Sequence, residues 1–392
     1  MAEAYIVAAA RTAGGRRNGK LSGWHPADLA AQVLDALINR SGCDPAWVED
    51  VIMGCVGQVG EQANNIARNA VLASSLPESV PATSVDRQCG SSQQALHFAA
   101  QAVMSGSMDI VIAAGVESMT RVPIGTPSIL AMKAEMGYYV SPQMQRRYPG
   151  VQFSQFSGAE MVAKKHGLSR AQVDAYALQS HQHAAAAVRA GAFDDEIVPV
   201  AVRVRGGPDS AELHTVDEGI RFDATLDGIA GVKLLAEGGV CTAANASQIC
   251  DGAAGLLVVN ERGLKTLGVA PLARIHQMTV IGGDPVMMLE TPIPATLQAL
   301  KKAGMAIHDI DLFEVNEAFA SVPVAWLQVT GADPARLNAR GGAIALGHPL
   351  GGSGAKLMTT LLHALKAGHH RYGLQTMCEG GGLANVTIVE RL

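Results

Sequence analysis

The sequence predicts an α/β protein whose sheets are covered by helices on both faces. Short, uniformly apolar runs alternate with amphipathic runs along most of the chain, as expected for strands alternating with helices. Strands that are apolar throughout lie in sheets buried on both sides, because a half-exposed sheet would alternate polar and apolar residues. The chain has 392 residues, 48% of them hydrophobic, and should therefore form two or three domains.

The clearest elements lie in the first 120 residues and near residue 300. The predicted strands are residues 5–10, 50–55 and 110–114, and the predicted helices are residues 26–41, 94–105 and 294–304. Between about Met119 and Ser247, Pro, Gly, Met and Tyr are scattered among charged turns, and only residues 171–190 are predicted to be helical. This segment is too long for a loop, so we expect an insertion outside the layered core that forms a lid or a subunit contact.

A weak internal repeat relates the two ends of the chain. Three segments of the first half resemble three segments of the second half in the same order. Residues 48–54 resemble 309–315, and residues 110–118 resemble 374–381. Between them, the junction at Cys89 with its helix resembles the loop at His348 with its helix. Chance similarity among Gly- and Ala-rich segments is the alternative explanation. If the repeat is real, Cys89 and His348 occupy comparable loops of two related halves, with Cys378 on a third loop of the same cleft.

Composition excludes several classes of partner. The formal net charge is −5 and no long run of Lys or Arg occurs, so neither nucleic acid nor an anionic membrane is expected. No apolar run approaches the roughly 20 residues of a membrane span, and the apolar run at 5–10 lacks the flanks of a signal peptide, which predicts a cytoplasmic protein. The small basic cluster of Arg11, Arg16, Arg17 and Lys20 is interpreted as a solvated turn.

The cysteines and histidines give no metal or disulfide pattern. Cysteines at positions 43, 55, 89, 241, 250 and 378 have neither disulfide-framework nor metal-ligand spacing. The pair His369–His370 lacks companion ligands, so no metal site is predicted. Cysteines 43, 55, 241 and 250 are interpreted as structural.

Cys89 is the candidate nucleophile. It stands where a β-branched run ends and an Ala-rich helical run begins, and a helix N-terminus can lower a thiol pKa from about 8.5 and favour the thiolate. Most free cysteines are instead small buried hydrophobes. Two other features favour the nucleophile: Gly-His348-Pro in a glycine-rich stretch, and Cys378 followed by Glu-Gly-Gly-Gly.

Four segments together resemble the signature regions of thiolases, in the order of that family. They are Cys89-Gly-Ser91, Asn316-Glu-Ala-Phe-Ala320, residues 341–351 around His348, and Cys378-Glu-Gly-Gly-Gly382. The resemblance extends from Arg11 to the end of the chain. The glycine-rich loop at His348 lacks the Lys-Ser/Thr of a P-loop and does not match a dinucleotide fingerprint.

The resemblance implies a layered α-β-α-β-α architecture built from two related halves with an inserted loop domain. The implied N-terminal half is 1–118 plus 249–271, the C-terminal half is 272–392, and the loop domain, 119–248, covers coenzyme A (CoA) and substrate. Thiolases are generally dimers or dimers of dimers, so a homodimer or homotetramer is expected, with residues 120–150 as a tetramer contact.

The resemblance also implies a reaction, the exchange of acyl groups between a 3-ketoacyl-CoA and CoA. Cys89 would accept the acyl group, His348 would take its proton, and Cys378 would be the second acid/base. The side chain of Asn316 would hold a water that, with His348, binds the enolate oxygen. The backbone N–H groups of Cys89 and Gly380 would form a second oxyanion site. CoA is then a substrate, and no covalently bound cofactor is expected.

Four residues match positions that contact CoA or the acyl group in related enzymes. Arg221 corresponds to an arginine beside the adenine nucleotide and Ser247 to a serine at the pantetheine arm, while Met288 and Phe319 correspond to apolar wall residues. The alternatives are that Arg221 is a surface arginine and Met288 an ordinary core residue.

Departures from the common family pattern bear on the substrate. Asp86 replaces Asn, Ser92 replaces Gly, Gln93 replaces a larger apolar residue, and residues 155–160 differ from the usual Met-Gly-x-Thr-Ala-Glu. Together these are more similar to actinobacterial degradative thiolases, including those acting on steroid-derived acyl-CoA. We therefore predict a degradative 3-ketoacyl-CoA thiolase with a medium or bulky acyl chain.

Three alternatives to this prediction are a biosynthetic acetoacetyl-CoA thiolase, a non-catalytic acyl-CoA or lipid carrier, and a ketoacyl synthase. A carrier would be expected to lack one of the reactive groups, whereas all three are present. A ketoacyl synthase usually pairs one cysteine with two histidines, and the second thiol at Cys378 argues against it.

Overall fold

The computed structural model describes residues 2–208 and 210–392. Its strands are β1 (Tyr5–Thr12), β2 (Gly15–Arg16), β3 (Asp50–Gly54), β4 (Ala82–Val85), β5 (Ile110–Ser118), β6 (Ile197–Val198), β7 (Val200–Ala201), β8 (Leu213–His214), β9 (Cys250–Val259), β10 (Ala273–Gly282), β11 (Leu312–Val315), β12 (Tyr372–Glu379) and β13 (Leu383–Glu390). Its helices are α1 (Pro26–Ser41), α2 (Ile66–Ala73), α3 (Ser91–Ser105), α4 (Thr126–Lys133), α5 (Pro142–Arg147), α6 (Gln155–Lys165), α7 (Arg170–Arg189), α8 (Leu226–Ala230), α9 (Glu261–Leu267), α10 (Pro292–Ala303), α11 (Ser321–Thr330), α12 (Ala343–Leu346) and α13 (Ser353–Ala367).

The strand order repeats between the two halves. The N-terminal strands follow the order β4-β3-β5-β9-β1, and the C-terminal strands follow β11-β12-β13-β10, with Leu337 bridged to Phe313 outside β11. In each set the outer pairs are parallel and the inner pairs antiparallel. The repeat inferred from the sequence is therefore real in three dimensions. A short antiparallel contact between β1 and β10 joins the two sets.

Helices cover both faces of both sheets. Helices α1 and α2 pack on the outer face of the N-terminal strands, and α10 and α11 cover the outer face of the C-terminal strands. Between the sheets lie α3 and α13, which contact each other through a core of Ala, Leu and Met side chains. The predicted α-β-α-β-α layering is confirmed.

Most predicted elements have nearly the predicted bounds. Helix α1 runs from Pro26 to Ser41, because the ring of His25 accepts from the N–H of Ala27 at its start and Gly42, with φ of 65°, ends it. Helix α3 begins three residues earlier than predicted, at Ser91. This shift brings the helix start closer to Cys89.

The segment between residues 119 and 248 is more helical than its composition predicts. Besides α7, it contains α4, α5, α6 and α8, of which α5, α6 and α8 begin at serine or threonine caps. Local capping thus supports short helices that have little apolar periodicity. The segment also contributes β6, which pairs in parallel with the end of β1.

The interpretation of Arg11 as part of a solvated turn is wrong. Its side chain is fully buried and forms ion pairs with Glu196 at 2.6 Å and Asp217 at 3.0 Å. Lys356 of α13 also pairs with Asp217 at 3.0 Å. Although burial opposes it, the charges of Arg11 and Lys356 lower the pKa of Asp217 to about 2. Arg11 thus belongs to a buried charge network that connects β1, the 119–248 segment and α13.

Membrane spans and metal-ligand clusters are both absent from the described part of the chain. None of the helices in residues 2–208 and 210–392 is long and apolar enough to cross a membrane. The same residues contain no group of three or more His, Cys, Asp or Glu side chains placed to hold a metal ion.

Candidate active site

A strained turn presents Cys89 at the start of α3. The carboxylate of Asp86 accepts from the N–H of Gln88 at 2.7 Å, and Gln88 has a φ of 50°, in the left-handed region that non-glycine residues rarely adopt. The hydroxyl of Ser91 closes the turn, since it donates to the carbonyl of Gln88 at 2.6 Å and accepts from the N–H of Arg87 at 2.9 Å. Strain of this kind is concentrated at functional sites. Here it fixes the Cys89 backbone.

The end of β12 lies directly against this turn. A Cβ atom added to Gly90 would come 1.9 Å from Oε1 of Glu379, and one added to Gly380 would come 2.9 Å from Oε1 of Gln88. A side chain at position 90 would therefore have to displace the Glu379 carboxyl group. The contact brings Cys378, which is fully buried, into electrostatic range of Cys89.

His348 lies on the loop between α12 and α13, with both ring nitrogens in polar contacts. Its Nδ1 contacts the hydroxyl of Ser353, and that hydroxyl donates its only proton to the carbonyl of Pro349 at 2.8 Å. We assign the ring proton to Nδ1, which then donates to Ser353, and Nε2 is left unprotonated as an acceptor. Burial and the charge of Lys356 lower the pKa of His348 to about 4, so the ring is neutral at pH 7.

Asn316 lies beside Nε2 of His348. Its Nδ2 is 3.5 Å from His348 Nε2, and its Oδ1 is buried with no hydrogen-bond partner in the described residues. The N–H of Asn316 donates to the carbonyl of Thr376 at 3.0 Å, two residues before Cys378. A buried amide oxygen without a partner is costly, and this one can accept a hydrogen bond from a water.

The His348 loop packs on the first turn of α3. The N–H of Ala355 donates to the hydroxyl of Ser92 at 2.9 Å, and a Cβ on Gly354 would come 2.2 Å from the backbone nitrogen of Gln93. The structure thus brings the Cys89 turn, the β12 end, the His348 loop and Asn316 to one place. All five residues predicted to be catalytic lie on these four segments.

Both thiols are held in the protonated form. Burial, reinforced by the charge of Glu379, raises the pKa of Cys89 to about 12, and burial raises the pKa of Cys378 as well. The expected lowering of the Cys89 pKa by the start of α3 is therefore not found. Desolvation outweighs the partial charge of the helix end, since that charge is worth at most about 2 kcal/mol.

A cavity of about 420 Å³ opens beside the site, lined by residues of the 119–248 segment and by Ile344 of α12. Arg221 lies on its wall with His181, whose ring nitrogen accepts from the Arg221 N–H at 3.2 Å. Its size suits part of a large ligand rather than a small ion.

Ser247 lies on a stretch of chain that connects the cavity wall to the catalytic segments. The N–H of Ser247 donates to the carbonyl of Ala318 at 3.0 Å, and the carbonyl of the next residue, Gln248, accepts from the N–H of His348 at 3.0 Å. Residues 245–249 are thus hydrogen-bonded across both the Asn316 and the His348 segments. Met288 and Phe319 are buried in the C-terminal core.

The residues that depart from the common family pattern fall into two groups. Gln93 donates to the hydroxyl of Thr387 at 2.8 Å and, like Ser92, is fully buried between the two halves. Phe156, in contrast, is 52% exposed and stacks edge to face on Phe319, with ring centroids 5.6 Å apart. The 155–160 departure therefore touches the predicted acyl wall, whereas Ser92 and Gln93 stabilise helix and sheet packing.

Sequence reasoning missed three polar residues of the site. Ser353 orients His348, Glu379 adjoins Cys89, and Glu117 of β5 accepts from the N–H groups of Val56 at 2.9 Å and Gly351 at 3.0 Å. Glu117 thereby ties the His348 loop to the N-terminal half. An acidic residue at the end of a uniformly apolar strand was the available signal for Glu117, and adjacency to Cys378 was the signal for Glu379.

A two-half layered fold with a Cys, His, Asn and Cys site at its centre defines an acyl-transferring enzyme class. The family model for the thiolase N-terminal domain matches residues 4–262, and that for the thiolase C-terminal domain matches residues 269–391. The chain belongs to the thiolase family, as the four signature segments predicted.

Individual relatives cover the whole chain. It is 52% identical to the steroid 3-ketoacyl-CoA thiolase FadA6 of Mycobacterium tuberculosis over all of this chain and 95% of that protein. It is 39% identical to a 3-ketoacyl-CoA thiolase of Bacillus subtilis and 41% identical to a beta-ketoadipyl-CoA thiolase of Escherichia coli, with both chains of each pair fully covered.

Proposed function

We propose that this thiolase is degradative and that it cleaves a 3-ketoacyl-CoA with a medium or bulky acyl chain, using CoA, to acetyl-CoA and a shortened acyl-CoA. Two packing contacts carry the reaction: the Cys89 turn packs on the end of β12, and the loop that holds the neutral His348 packs on the first turn of α3. The 52% identity to a steroid 3-ketoacyl-CoA thiolase supports the bulky acyl chain.

In the first step, Nε2 of His348 takes the proton of Cys89 and the sulfur attacks the 3-keto carbon. The carbon–carbon bond then breaks, the acyl group stays on Cys89 as a thioester, and the departing acetyl-CoA carbanion takes a proton from Cys378. In the second step, the Cys378 thiolate takes the proton of the CoA thiol, the CoA sulfur attacks the thioester, and the shortened acyl-CoA leaves while His348 returns its proton to the Cys89 sulfur. Because the pKa values of both thiols are raised, neither cysteine is a thiolate before substrate binds, and each proton is transferred during the reaction.

Negative charge develops on oxygen in both steps and needs hydrogen-bond donors. The backbone N–H groups of Cys89 and Gly380 would bind the oxyanion of the intermediate on Cys89, and glycine at 380 permits the close approach. The Asn316 side chain, with a water and His348, would bind the enolate oxygen of acetyl-CoA.

The cavity beside the site is proposed to hold CoA. Arg221 on its wall would lie beside the adenine nucleotide, and Ser247 would lie along the pantetheine arm. The loop domain, 119–248, would then cover the nucleotide. The N-terminal half (1–118 plus 249–271) and the C-terminal half (272–392) would supply the reactive groups. Arg221→Ala should raise the KM for CoA with little change in kcat, and an unchanged KM would contradict this placement.

A comparison of acyl chains tests the substrate proposal. We expect kcat/KM for thiolysis to be higher for long or ring-bearing 3-ketoacyl-CoA esters than for acetoacetyl-CoA. A preference for acetoacetyl-CoA would instead support the biosynthetic alternative. Phe156→Ala should change this preference, because the ring covers Phe319 at the predicted acyl wall.

The acyl-enzyme is tested by mass spectrometry. Incubation with a 3-ketoacyl-CoA in the absence of free CoA should add one acyl group to Cys89. Cys89→Ala should abolish both the adduct and turnover, whereas Cys43→Ala, at a buried cysteine outside the site, should affect neither. Full activity of Cys89→Ala would overturn the mechanism.

A homo-oligomer is also proposed. Met136 is 81% exposed, and apolar residues on either side of it are about half exposed, within the 120–150 segment predicted to be a tetramer contact. The mass in solution, measured by light scattering, should be that of a dimer or tetramer. If the segment is the tetramer contact, Met136→Glu should reduce a tetramer to a dimer.

A further inference from the structure

Glu379 is a buried acid at the centre of the site that the reaction scheme above does not use. It lies between Cys378 and Gly380, is fully buried, and neither carboxyl oxygen has a hydrogen-bond partner in the described residues. The N–H of Asn385 is near, but it makes no hydrogen bond of normal geometry to the carboxyl group. A carboxylate without partners is costly to bury. Burial therefore raises the pKa of Glu379 to about 8, with Arg87 opposing the rise.

The carboxyl group of Glu379 lies against the backbone next to Cys89. The missing Cβ of Gly90 would come 1.9 Å from its Oε1, so no side chain separates the acid from the Cys89 turn. Among the charged groups that act on Cys89, Glu379 has the largest effect, ahead of Glu117 and Asp86. A negative charge on Glu379 and one on the Cys89 sulfur would therefore repel each other at short range and low dielectric.

Other groups around this acid come from several elements. Arg87 lies on the Cys89 turn, but among the described residues it forms no ion pair with Glu379 within 4.0 Å. Glu117 projects from β5, Cys378 is on the same strand as Glu379, and His348 on the facing loop is neutral. The nearest cation thus does not cancel the charge of an ionised Glu379.

We propose that Glu379 is a positioning residue for the acylation chemistry assigned above, acting through Cys89: as a neutral acid it permits the thiolate to form, and as a carboxylate it opposes it. The thiol proton passes to Nε2 of His348 while Glu379 keeps its own proton. The Cys89 sulfur and the Glu379 carboxyl group are then never negatively charged at the same time. This proposal rests on the function assigned above only for the role of Cys89.

The consequence is a distinctive pH dependence of Cys89 reactivity. Below pH 8, Glu379 is neutral, so the thiolate fraction rises tenfold per pH unit as for any thiol. Above pH 8, the fraction of protein in which Glu379 is still neutral falls tenfold per pH unit. This fall offsets the tenfold rise in thiolate formation, so the reactivity of Cys89 levels off. Glu379→Gln mimics the neutral acid at every pH, so its Cys89 should follow the wild type below pH 8 and continue to rise above it.

The experiment is alkylation of Cys89 with iodoacetamide between pH 6 and 10, in a Cys378→Ala background without acyl-CoA. The rate is read from the mass of the Cys89 peptide. We expect equal rates with and without the Glu379→Gln substitution at pH 7, and a rate about tenfold higher for Glu379→Gln at pH 9, one unit above the Glu379 midpoint. Parallel profiles across the whole range, or one uniform displacement of the profile, would overturn the proposal.

Glu314→Gln is the matched control. Glu314 is also a buried glutamate whose pKa is raised by burial and by Glu317 and Glu196, but it is not among the charged groups that act on Cys89. It should keep the levelling above pH 8. If the alkylation rate of Glu314→Gln kept rising above pH 8, removal of any buried carboxyl group would disturb Cys89. That result would contradict a specific role for Glu379.

A second measurement applies if Glu379→Gln does not fold. It is the absorbance of the Cys89 thiolate at 240 nm. This absorbance is obtained by subtracting the spectrum of the double variant Cys89→Ala/Cys378→Ala from that of Cys378→Ala. The thiolate signal should rise by much less than tenfold between pH 8 and pH 9, where Glu379 ionises, and a tenfold rise over that unit would overturn the proposal. Neither measurement uses a 3-ketoacyl-CoA, so a wrong substrate assignment would leave both results unaffected.

Discussion

The hydroxyl of Ser353 accepts a hydrogen bond from Nδ1 of His348 and thereby fixes the protonation of the ring. Because the same hydroxyl donates to the carbonyl of Pro349 at 2.8 Å, it cannot also donate to the histidine. The imidazole is held with its basic nitrogen, Nε2, toward Asn316. Serine at the start of α13 takes the orienting role that a carboxylate has in other catalytic triads.

Ser353→Ala should lower kcat because His348 can then adopt the unproductive tautomer. We expect a loss of about tenfold to a hundredfold, less than the 10²–10⁴ typical of losing the base itself. The measurement is steady-state thiolysis together with the rate of Cys89 acylation. Ser105→Ala, which removes an exposed helix-end hydroxyl, is the control, and an unchanged kcat in Ser353→Ala would contradict the assigned tautomer.

Asn316→Ala should slow turnover by on the order of a hundredfold with little change in the KM for CoA, since it releases the water that donates to the enolate oxygen, and loss of one such donor typically has this effect on rate. The buried Oδ1 without a partner and the 3.5 Å contact with His348 are the structural basis. Alkylation of Cys89 by iodoacetamide should remain close to normal. If alkylation falls as much as turnover, Asn316 acts on Cys89 and not on the enolate.

Arg11→Met should destabilise the fold strongly, because it leaves the buried carboxylates of Glu196 and Asp217 with fewer compensating charges. Breaking a buried ion pair from one side typically costs about 3–5 kcal/mol. The free energy of unfolding in urea measures this, if unfolding is reversible. Arg16→Met should cost about 0–1 kcal/mol, since Arg16 is 62% exposed and lies 3.7 Å from Glu218. Equal effects would contradict the distinction.

Acid should destabilise the protein through histidines that are buried in the neutral form. Burial lowers the pKa of His97 to about 3 and of His181 to about 4, below the usual 6.5 of an exposed ring. The unfolded chain therefore binds more protons below pH 6.5, so stability is complete above that pH and falls as the pH drops toward 3 or 4. Each such histidine contributes up to about 1.4 kcal/mol per pH unit in this window.

Thermal unfolding between pH 7.5 and 5 tests this dependence. The Tm should fall with pH in the wild type and fall less steeply in His97→Gln, which keeps a neutral polar side chain beside Thr387. His308→Gln is the control, because this ring is 81% exposed. A slope in His97→Gln equal to that of the wild type would show that His97 is not held neutral.

The elements of the layered core could be predicted because their signals are local. Helix α1 carries its own start and stop signals in Pro26 and Gly42, and β5 is recognisable as a continuous apolar run. Helices α5, α6 and α8 were missed, because these short helices have little apolar periodicity and begin at single Ser or Thr caps. Arg11 was misjudged for a different reason, since its partners Glu196 and Asp217 lie about two hundred residues away in sequence.

The sequence by itself determined the family, the two-half repeat and the identity of the candidate residues Cys89, His348, Asn316 and Cys378, because these depend on short motifs and on apolar patterning. Only the tertiary structure decided the state of those residues. The His348 tautomer depends on a hydroxyl five residues away, and the protonated state of Cys89 depends on burial together with a carboxyl group from the far end of the chain. Charge and desolvation act through space, so they could not be predicted from residue order.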